Sequence, residues 1–179
     1  MSQSTHALFL IDLQVGNIDH LFQPDLIIKA NQTVLQIARE AGIDIFHFKY
    51  HEEKRDYERF GEPWTAVGTI EGEFHSKLAP SGSEITYTKP AYGAFTVEGL
   101  EKQLKEKGIE TIWLTGVMSQ VCVLATAYEA YARKFKVNVI QEAVGATSEN
   151  NLNIGLEWMR KYASALKTLK EFEKHFEPK

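Results

Sequence analysis

The chain has 179 residues, 44% of them apolar and 25% charged, with a formal net charge of −4. This length suits one domain, residues 1–179, with a core of its own, and the composition is that of a globular protein rather than a low-complexity or fibrous one. The acidic balance argues against a nucleic-acid or acidic-membrane partner, no apolar run is long enough to cross a bilayer, and one cysteine cannot form an internal disulfide.

The first six residues are short and polar, without the basic and small-residue features of a signal peptide. Together with the lone cysteine they lead us to expect a reducing, cytoplasmic setting. Residues 7–13 form an apolar run around Asp12 and read as a buried strand. Apolar residues at helical spacing predict a helix over 26–40, opened by Pro24 and Asp25 and closed by Gly42. Residues 43–50 form a second strand. The stretch 51–80 carries many charges, three glycines, Pro63 and Trp64, and a connection of that length is commonly functional. A short strand over 84–88 precedes an amphipathic helix over 96–107. Strand 110–115, helix 119–134, strand 136–141 and helix 149–162 follow, and then a short edge strand over 163–166 and a last helix over 168–176. The alternation implies a three-layer α-β-α fold: a mostly parallel, Rossmann-like sheet of about six strands with helices on both faces.

Ligands of such sheets bind beyond the carboxyl ends of the strands. Asp12 ends the first strand, Lys89 follows the third, and Cys122 follows strand 110–115, so all three fall on one rim. Cys122 sits just after a strand-to-helix turn, where Ser119 is placed to cap the helix. Free N–H groups there, with Lys89 nearby, predict a thiol pKa below the free value of about 8.5. A carboxylate, an ammonium and a thiol together suit acyl transfer: the carboxylate takes the thiol proton and returns it to a leaving amine. Backbone N–H groups around Met118 and Cys122 would hold the oxyanion. Singly, each residue has a plainer role: Cys122 as a small buried hydrophobe, Asp12 as a loop anchor, Lys89 as a solvated lysine.

Three segments in order resemble the isochorismatase-like cysteine hydrolases, the superfamily that includes nicotinamidases and N-carbamoylsarcosine amidases. They are Leu10-Ile11-Asp12-Leu13-Gln14, Lys89-Pro90-Ala91-Tyr92-Gly93-Ala94-Phe95, and Thr115-Gly116-Val117-Met118-Ser119-Gln120-Val121-Cys122-Val123 with Thr126 following. The resemblance implies Asp12 as general base and acid, Lys89 as the positioned cation, Cys122 as the nucleophile, and a cis peptide between Val117 and Met118. It also implies a homodimer or homotetramer. Members that hydrolyse the vinyl ether of isochorismate lack the cysteine, so Cys122 points to C–N chemistry. Nicotinamidases carry an Asp-x-His metal motif; here Lys49 stands at the aspartate position, between His47 and His51. A protonated lysine offers no lone pair, so no metal and no other cofactor is expected.

Around the trio, Gln14, Trp64, Tyr92 and Phe95 are candidate substrate contacts, and Gln14 equally suits a bond to local backbone. His75 is a further candidate, and Glu142 suits either the same rim or a helix cap. The reading is a cysteine hydrolase of a small amide. The alternatives are a hydrolase of another small C–N or ester substrate, and a non-catalytic flavodoxin-like binding module.

Overall fold

The computed structural model describes residues 4–177. The side chains of the first strand, β1 (His6–Ile11), alternate between two cores. Ala7, Phe9 and Ile11 join one apolar cluster, and Leu8 and Leu10 the other. A strand buried on both faces must be apolar throughout, which is why this run shows no polar alternation.

β1 lies at the centre of a six-stranded parallel sheet with β2 (Asp44–Tyr50), β3 (Ile85–Lys89), β4 (Thr111–Gly116), β5 (Lys136–Val144) and β6 (Ala165–Lys167). The spatial order is β3-β2-β1-β4-β5-β6, so the chain builds outward from β1, crosses back, and builds outward on the other side. Helix α2 (Pro24–Ala41) and the last helix, α7 (Leu169–Phe176), cover one face. Helices α4 (Leu100–Glu106), α5 (Leu124–Ala132) and α6 (Glu149–Tyr162) cover the other. This is the three-layer parallel architecture anticipated above.

The departures from expectation are local. β1 stops at Ile11 because Asp12 takes a left-handed φ of 52°, which turns the chain off the sheet. The helix expected from residue 96 starts at Leu100; Ala94–Thr96 forms a separate 3₁₀ turn, and Gly99, at φ 78°, breaks the path between them. The helix expected over 119–134 opens with a π-type turn over Ser119–Val123 before α5 proper.

Two helices were not anticipated. The first, α1 (Val15–Asp19), is too short to show a period and is held by tertiary contacts. Val15 and Gly16 donate N–H bonds to the carbonyls of Glu73 and Glu71, each at 2.9 Å. Only glycine fits at position 16, since a Cβ there would stand 1.7 Å from the Trp64 carbonyl oxygen. The second, α3 (Lys54–Phe60), lies inside the long 51–80 connection and is opened by a reciprocal capping box between Glu53 and Asp56.

Edge strand β3 is fastened by one carboxylate. Glu84 accepts from Arg39 of α2 at 2.6 and 3.1 Å, from the Ser81 N–H at 2.9 Å, and lies 2.8 Å from His47 Nε2 of β2. Burial pushes the Glu84 carboxyl up, but bonds from Arg39, Ser81 and His47 outweigh it and bring it down to about 2. Burial lowers the His47 imidazole, against the pull of Glu84.

A carboxyl depressed on folding stabilises fully above its unfolded pKa, near 4.5, and that contribution is lost as pH falls through about 2. Glu84→Gln therefore lowers the urea midpoint at pH 7, and the gap to wild type narrows as pH falls below about 4.5. A gap that stays constant down to acid would show that the carboxylate charge contributes nothing.

Candidate active site

The sheet reverses its winding between β1 and β4, and a crevice opens there at the carboxyl ends. The two strand ends are held together closely. The Asp12 N–H bonds Phe48 O at 2.9 Å, the Asp12 carbonyl accepts from Asn17 Nδ2 at 3.0 Å, and Val117 N–H bonds Ile11 O at 2.9 Å. Gly116, at φ 113°, permits this approach, since a Cβ there would lie 2.1 Å from the Ile11 carbonyl oxygen.

Lys89 ends β3, two strands from β1, in register with Tyr50 of β2. Its stem passes the Tyr50 ring, with Nζ 5.0 Å from the ring centroid, and Nζ donates to Asp12 Oδ2 at 2.9 Å. Both side chains are buried, at 0% and 2% exposure. The other carboxylate oxygen, Asp12 Oδ1, is also buried and has no nitrogen or oxygen donor from the protein.

Cys122 arrives on the π-type turn, beyond a cis peptide between Val117 and Met118. Ser119 is not a cap: its hydroxyl donates to Asn151 O at 3.0 Å, which ties the turn to α6. Gly155 of α6 lets the helix come that close, because a Cβ there would lie 2.5 Å from the Ser119 carbonyl carbon. Thr126 Oγ1 donates to Cys122 O at 2.8 Å and accepts from Ala94 N–H at 3.0 Å. Glu129 accepts from Phe95 N–H at 2.9 Å. The loop after Lys89 is thereby pinned to the helix after Cys122, and two sequence segments become one wall.

The expected low-pKa thiol is corrected by this geometry. Burial pushes the Cys122 thiol well up and the neighbouring Asp12 carboxylate pushes it further; Lys89 and the Met118 N–H oppose them and lose. Burial also raises Asp12, against the attraction of Lys89. The thiol therefore keeps its proton at rest, beside a carboxylate whose affinity for protons is increased. Helix-terminal N–H groups favour a thiolate only where water or a surplus of cations supports the charge, and here the single lysine is already shared with Asp12.

Asp12 and Cys122 open onto a cavity of about 470 Å³, and Trp64 and Tyr92 line it as anticipated. Two other candidates do not. Gln14 is wholly buried and clamps backbone: its Nε2 donates to Tyr50 O at 3.0 Å and Gly72 O at 2.8 Å, and its Oε1 accepts from Tyr50 N–H at 2.9 Å. Phe95 faces the apolar core, against Phe9 and Phe135 at 6.1 and 5.7 Å between centroids. Sequence reasoning passed over Glu52, Asp56, Tyr57 and Glu62, which line the outer part of the cavity. Their signal was a run of acidic and aromatic residues in an overlong connection.

The histidines have other employment. His47 meets Glu84, His51 Nδ1 lies 3.0 Å from Thr65 O, and Lys49 pairs with Glu73 at 3.0 Å. Among the described residues, no three His, Cys, Asp or Glu side chains are grouped to hold a metal ion. His75 opens the 3₁₀ turn Ser76–Leu78, and Glu142 accepts the Leu169 N–H at the start of α7.

Comparison with known proteins agrees with the fold. The isochorismatase domain family matches residues 6–171, and the chain belongs to that family of hydrolases. A secreted isochorismatase effector, Isc1, of Verticillium dahliae is 35% identical over 133 residues, covering 74% of this chain and 64% of that protein. Nicotinamidase 3 of Arabidopsis thaliana is 25% identical over 150 residues, covering 80% of this chain and 74% of that one. The crystal structure of an isochorismatase-like hydrolase from Alkaliphilus metalliredigens superposes with a TM-score of 0.83 at 24% identity, covering 97% of this chain and all of the other.

With one cysteine in the chain, alkylation read by intact mass reports Cys122 alone. Iodoacetamide modification is slow at neutrality and keeps accelerating above pH 8.5, the free-thiol range. Asp12→Asn removes the repelling charge and shifts the profile to lower pH. A plateau already reached near pH 7 in the wild type would refute the protonated resting thiol.

Proposed function

We propose that this isochorismatase-family hydrolase cleaves the C–N bond of a small amide through a thioester on Cys122. The observation that carries the reading is the buried Asp12–Lys89 pair at 2.9 Å, set beside Cys122 in one crevice with Asp12 Oδ1 left without a nitrogen or oxygen donor. Lys89 occupies one carboxylate oxygen, and the carboxyl still bonds the Cys122 thiol, the contact through which a base would take its proton.

The chemistry follows from the proton affinities. As the Cys122 sulfur bonds to the amide carbonyl carbon, its proton passes to Asp12, so a free thiolate never has to persist in the buried site. Burial has raised the affinity of Asp12 for that proton, and Lys89 holds the carboxylate in place while it is charged. The carbonyl oxygen becomes an oxyanion, which the backbone N–H groups of Met118 and Cys122 stabilise. Collapse of the intermediate breaks the C–N bond; Asp12 gives its proton to the departing nitrogen, and ammonia or a small amine leaves. Water then attacks the thioester while Asp12 accepts its proton; collapse breaks the C–S bond, Asp12 returns that proton to the departing sulfur, and the acid leaves with the thiol restored. These steps use only the chain's own groups and water.

Trp64 and Tyr92 are the substrate contacts that remain from the sequence reading. We further infer a single-domain, cytoplasmic protein, in keeping with its lone free cysteine, that assembles as a homodimer or homotetramer. Among the described residues no helix is long and apolar enough to cross a membrane.

A panel of small primary amides and esters, assayed for ammonia and acid release, is expected to give at least one amide substrate. Cys122→Ala lowers its turnover by about 10³-fold or more, and Asp12→Asn by about 10²-fold or more. Esters cleaved with every amide untouched would move the reading to ester hydrolysis. Turnover that survives Cys122→Ala would end it.

Activity is expected to withstand EDTA, because His47 and His51 are engaged by Glu84 and Thr65 with Lys49 between them in sequence. Loss of activity on chelation that zinc or iron restores would overturn this.

A further inference from the structure

The cavity has two ends of different chemistry. At the deep end Asp12 lines the cavity, and its Oδ1 is a buried acceptor with no nitrogen or oxygen donor from the protein; beside Lys89, the Cys122 thiol is the group that bonds this carboxyl. It calls for a ligand that brings an N–H group. Toward the mouth, the lining includes Glu52, Asp56 and Glu62 together with Tyr57, Trp64 and Tyr92, all less buried than Asp12.

These outer groups are held by the loop rather than scattered over it. Glu52 Oε2 accepts the N–H groups of Trp64 and of Thr65, the latter at 3.0 Å, which fixes its carboxylate against the tryptophan backbone. Asp56 Oδ2 accepts from Tyr50 Oη at 2.6 Å and from Glu53 N–H at 2.8 Å. The Trp64 indole is stacked on His20, with centroids 4.0 Å apart and planes 7° from parallel. Tyr92 stands edge-on to Tyr50 at 5.5 Å.

Among the described side chains near this wall, Lys89 is paired with Asp12 at 2.9 Å, and Arg55 lies 3.1 Å from Glu53 and 4.0 Å from Asp56, which leaves Glu62 as a wall carboxylate with none of these cations against it. Tyr92 is raised by burial first, and the Asp56 and Glu52 carboxylates raise it further against Arg55. Aromatic faces and carboxylates in one wall form the environment that a quaternary or protonated nitrogen prefers, through ring quadrupoles and direct charge attraction. A substrate carboxylate placed there meets like charge.

We propose that this pocket selects small amides bearing a positively charged nitrogen at the end remote from the scissile carbonyl, with Glu62, Trp64 and Tyr92 as the groups that recognise the charge. The inference rests on the amidase reading for the orientation of the ligand, with the amide N–H toward Asp12 and the cation toward the mouth.

The test uses three series of primary amides with one to four methylenes between the carbonyl and a terminal group. That group is trimethylammonium, its neutral tert-butyl isostere, or carboxylate. Binding is read calorimetrically on the Cys122→Ala protein, so that it does not depend on turnover. At the best chain length the trimethylammonium amide is expected to bind about 10-fold tighter than the tert-butyl amide, and the carboxylate amide weakest. Glu62→Gln, a change at an exposed position, narrows that preference by about threefold or more, and so does raising the salt from 50 to 500 mM. Equal or tighter binding of the tert-butyl amides at every length would overturn the proposal. So would a cation preference that neither Glu62→Gln nor salt reduces. Wild-type turnover of the same compounds judges the other reading separately. Cation-selective binding without hydrolysis of any amide would sink the amidase assignment and leave the charge selection intact. Hydrolysis without cation preference would do the reverse.

Discussion

The ion pair between Asp12 and Lys89 is the constraint around which the site is arranged. Two opposite charges sit 2.9 Å apart with almost no exposure to water. Taking both out of solvent is costly, and an apolar pair of similar volume would commonly serve stability as well or better. Removing one partner alone strands the other, at a cost of about 3–5 kcal/mol. Such a pair constrains every element that carries it. β3 must end where the lysine can reach across β2, β1 must turn off the sheet at Asp12, and the Tyr50 ring must lie where the lysine stem passes. The Glu84 network, which fastens β3 to α2 and β2, holds the lysine-bearing strand in its place.

The same pair governs the thiol. One lysine cannot support two anions in a dry site, so Asp12 and Cys122 compete for it, and burial raises the proton affinity of both. The consequence is a resting thiol that keeps its proton beside a carboxylate whose own proton affinity is raised. This differs from a cysteine activated by a helix terminus alone. The π-type turn at Ser119–Val123, clamped by Thr126 and by the close approach of Gly155, places the sulfur beside the carboxylate. Because Thr126 also holds the Ala94 N–H, the lysine loop and the cysteine turn shift together or not at all.

The long connection after β2 supplies what the strand ends lack. Gln14 threads it to the sheet through the Gly72 carbonyl, and α1 bonds its far end through Glu71 and Glu73. So anchored, it brings acidic and aromatic side chains over a crevice whose floor is set by β1 and β4. Asp12, Lys89 and Cys122 thus sit at or just beyond strand ends, and much of the cavity lining sits on the loop, a division that lets the lining change without disturbing the trio.

Much of this was legible in the sequence. Buried strands betray themselves as short apolar runs, and the alternation of strands with amphipathic helices admits few topologies, so the parallel three-layer fold and the shared rim of Asp12, Lys89 and Cys122 followed from order alone. Helix α6, Glu149–Tyr162, is legible from end to end because its cap residue and its period agree. Three things required the tertiary structure. The short helix α1 is held by partners more than fifty residues away, which no local pattern records. The direction of Gln14 and Phe95 depends on which face of the chain turns inward after the strand ends, and both turn away from the cavity. The thiol's proton affinity depends on a balance among burial, Asp12 and Lys89 that exists only once they are brought together. Sequence order determined which chemical groups share an edge, because strand topology is fixed by local pattern; distance and dehydration, which only packing sets, decided how those groups share their charge.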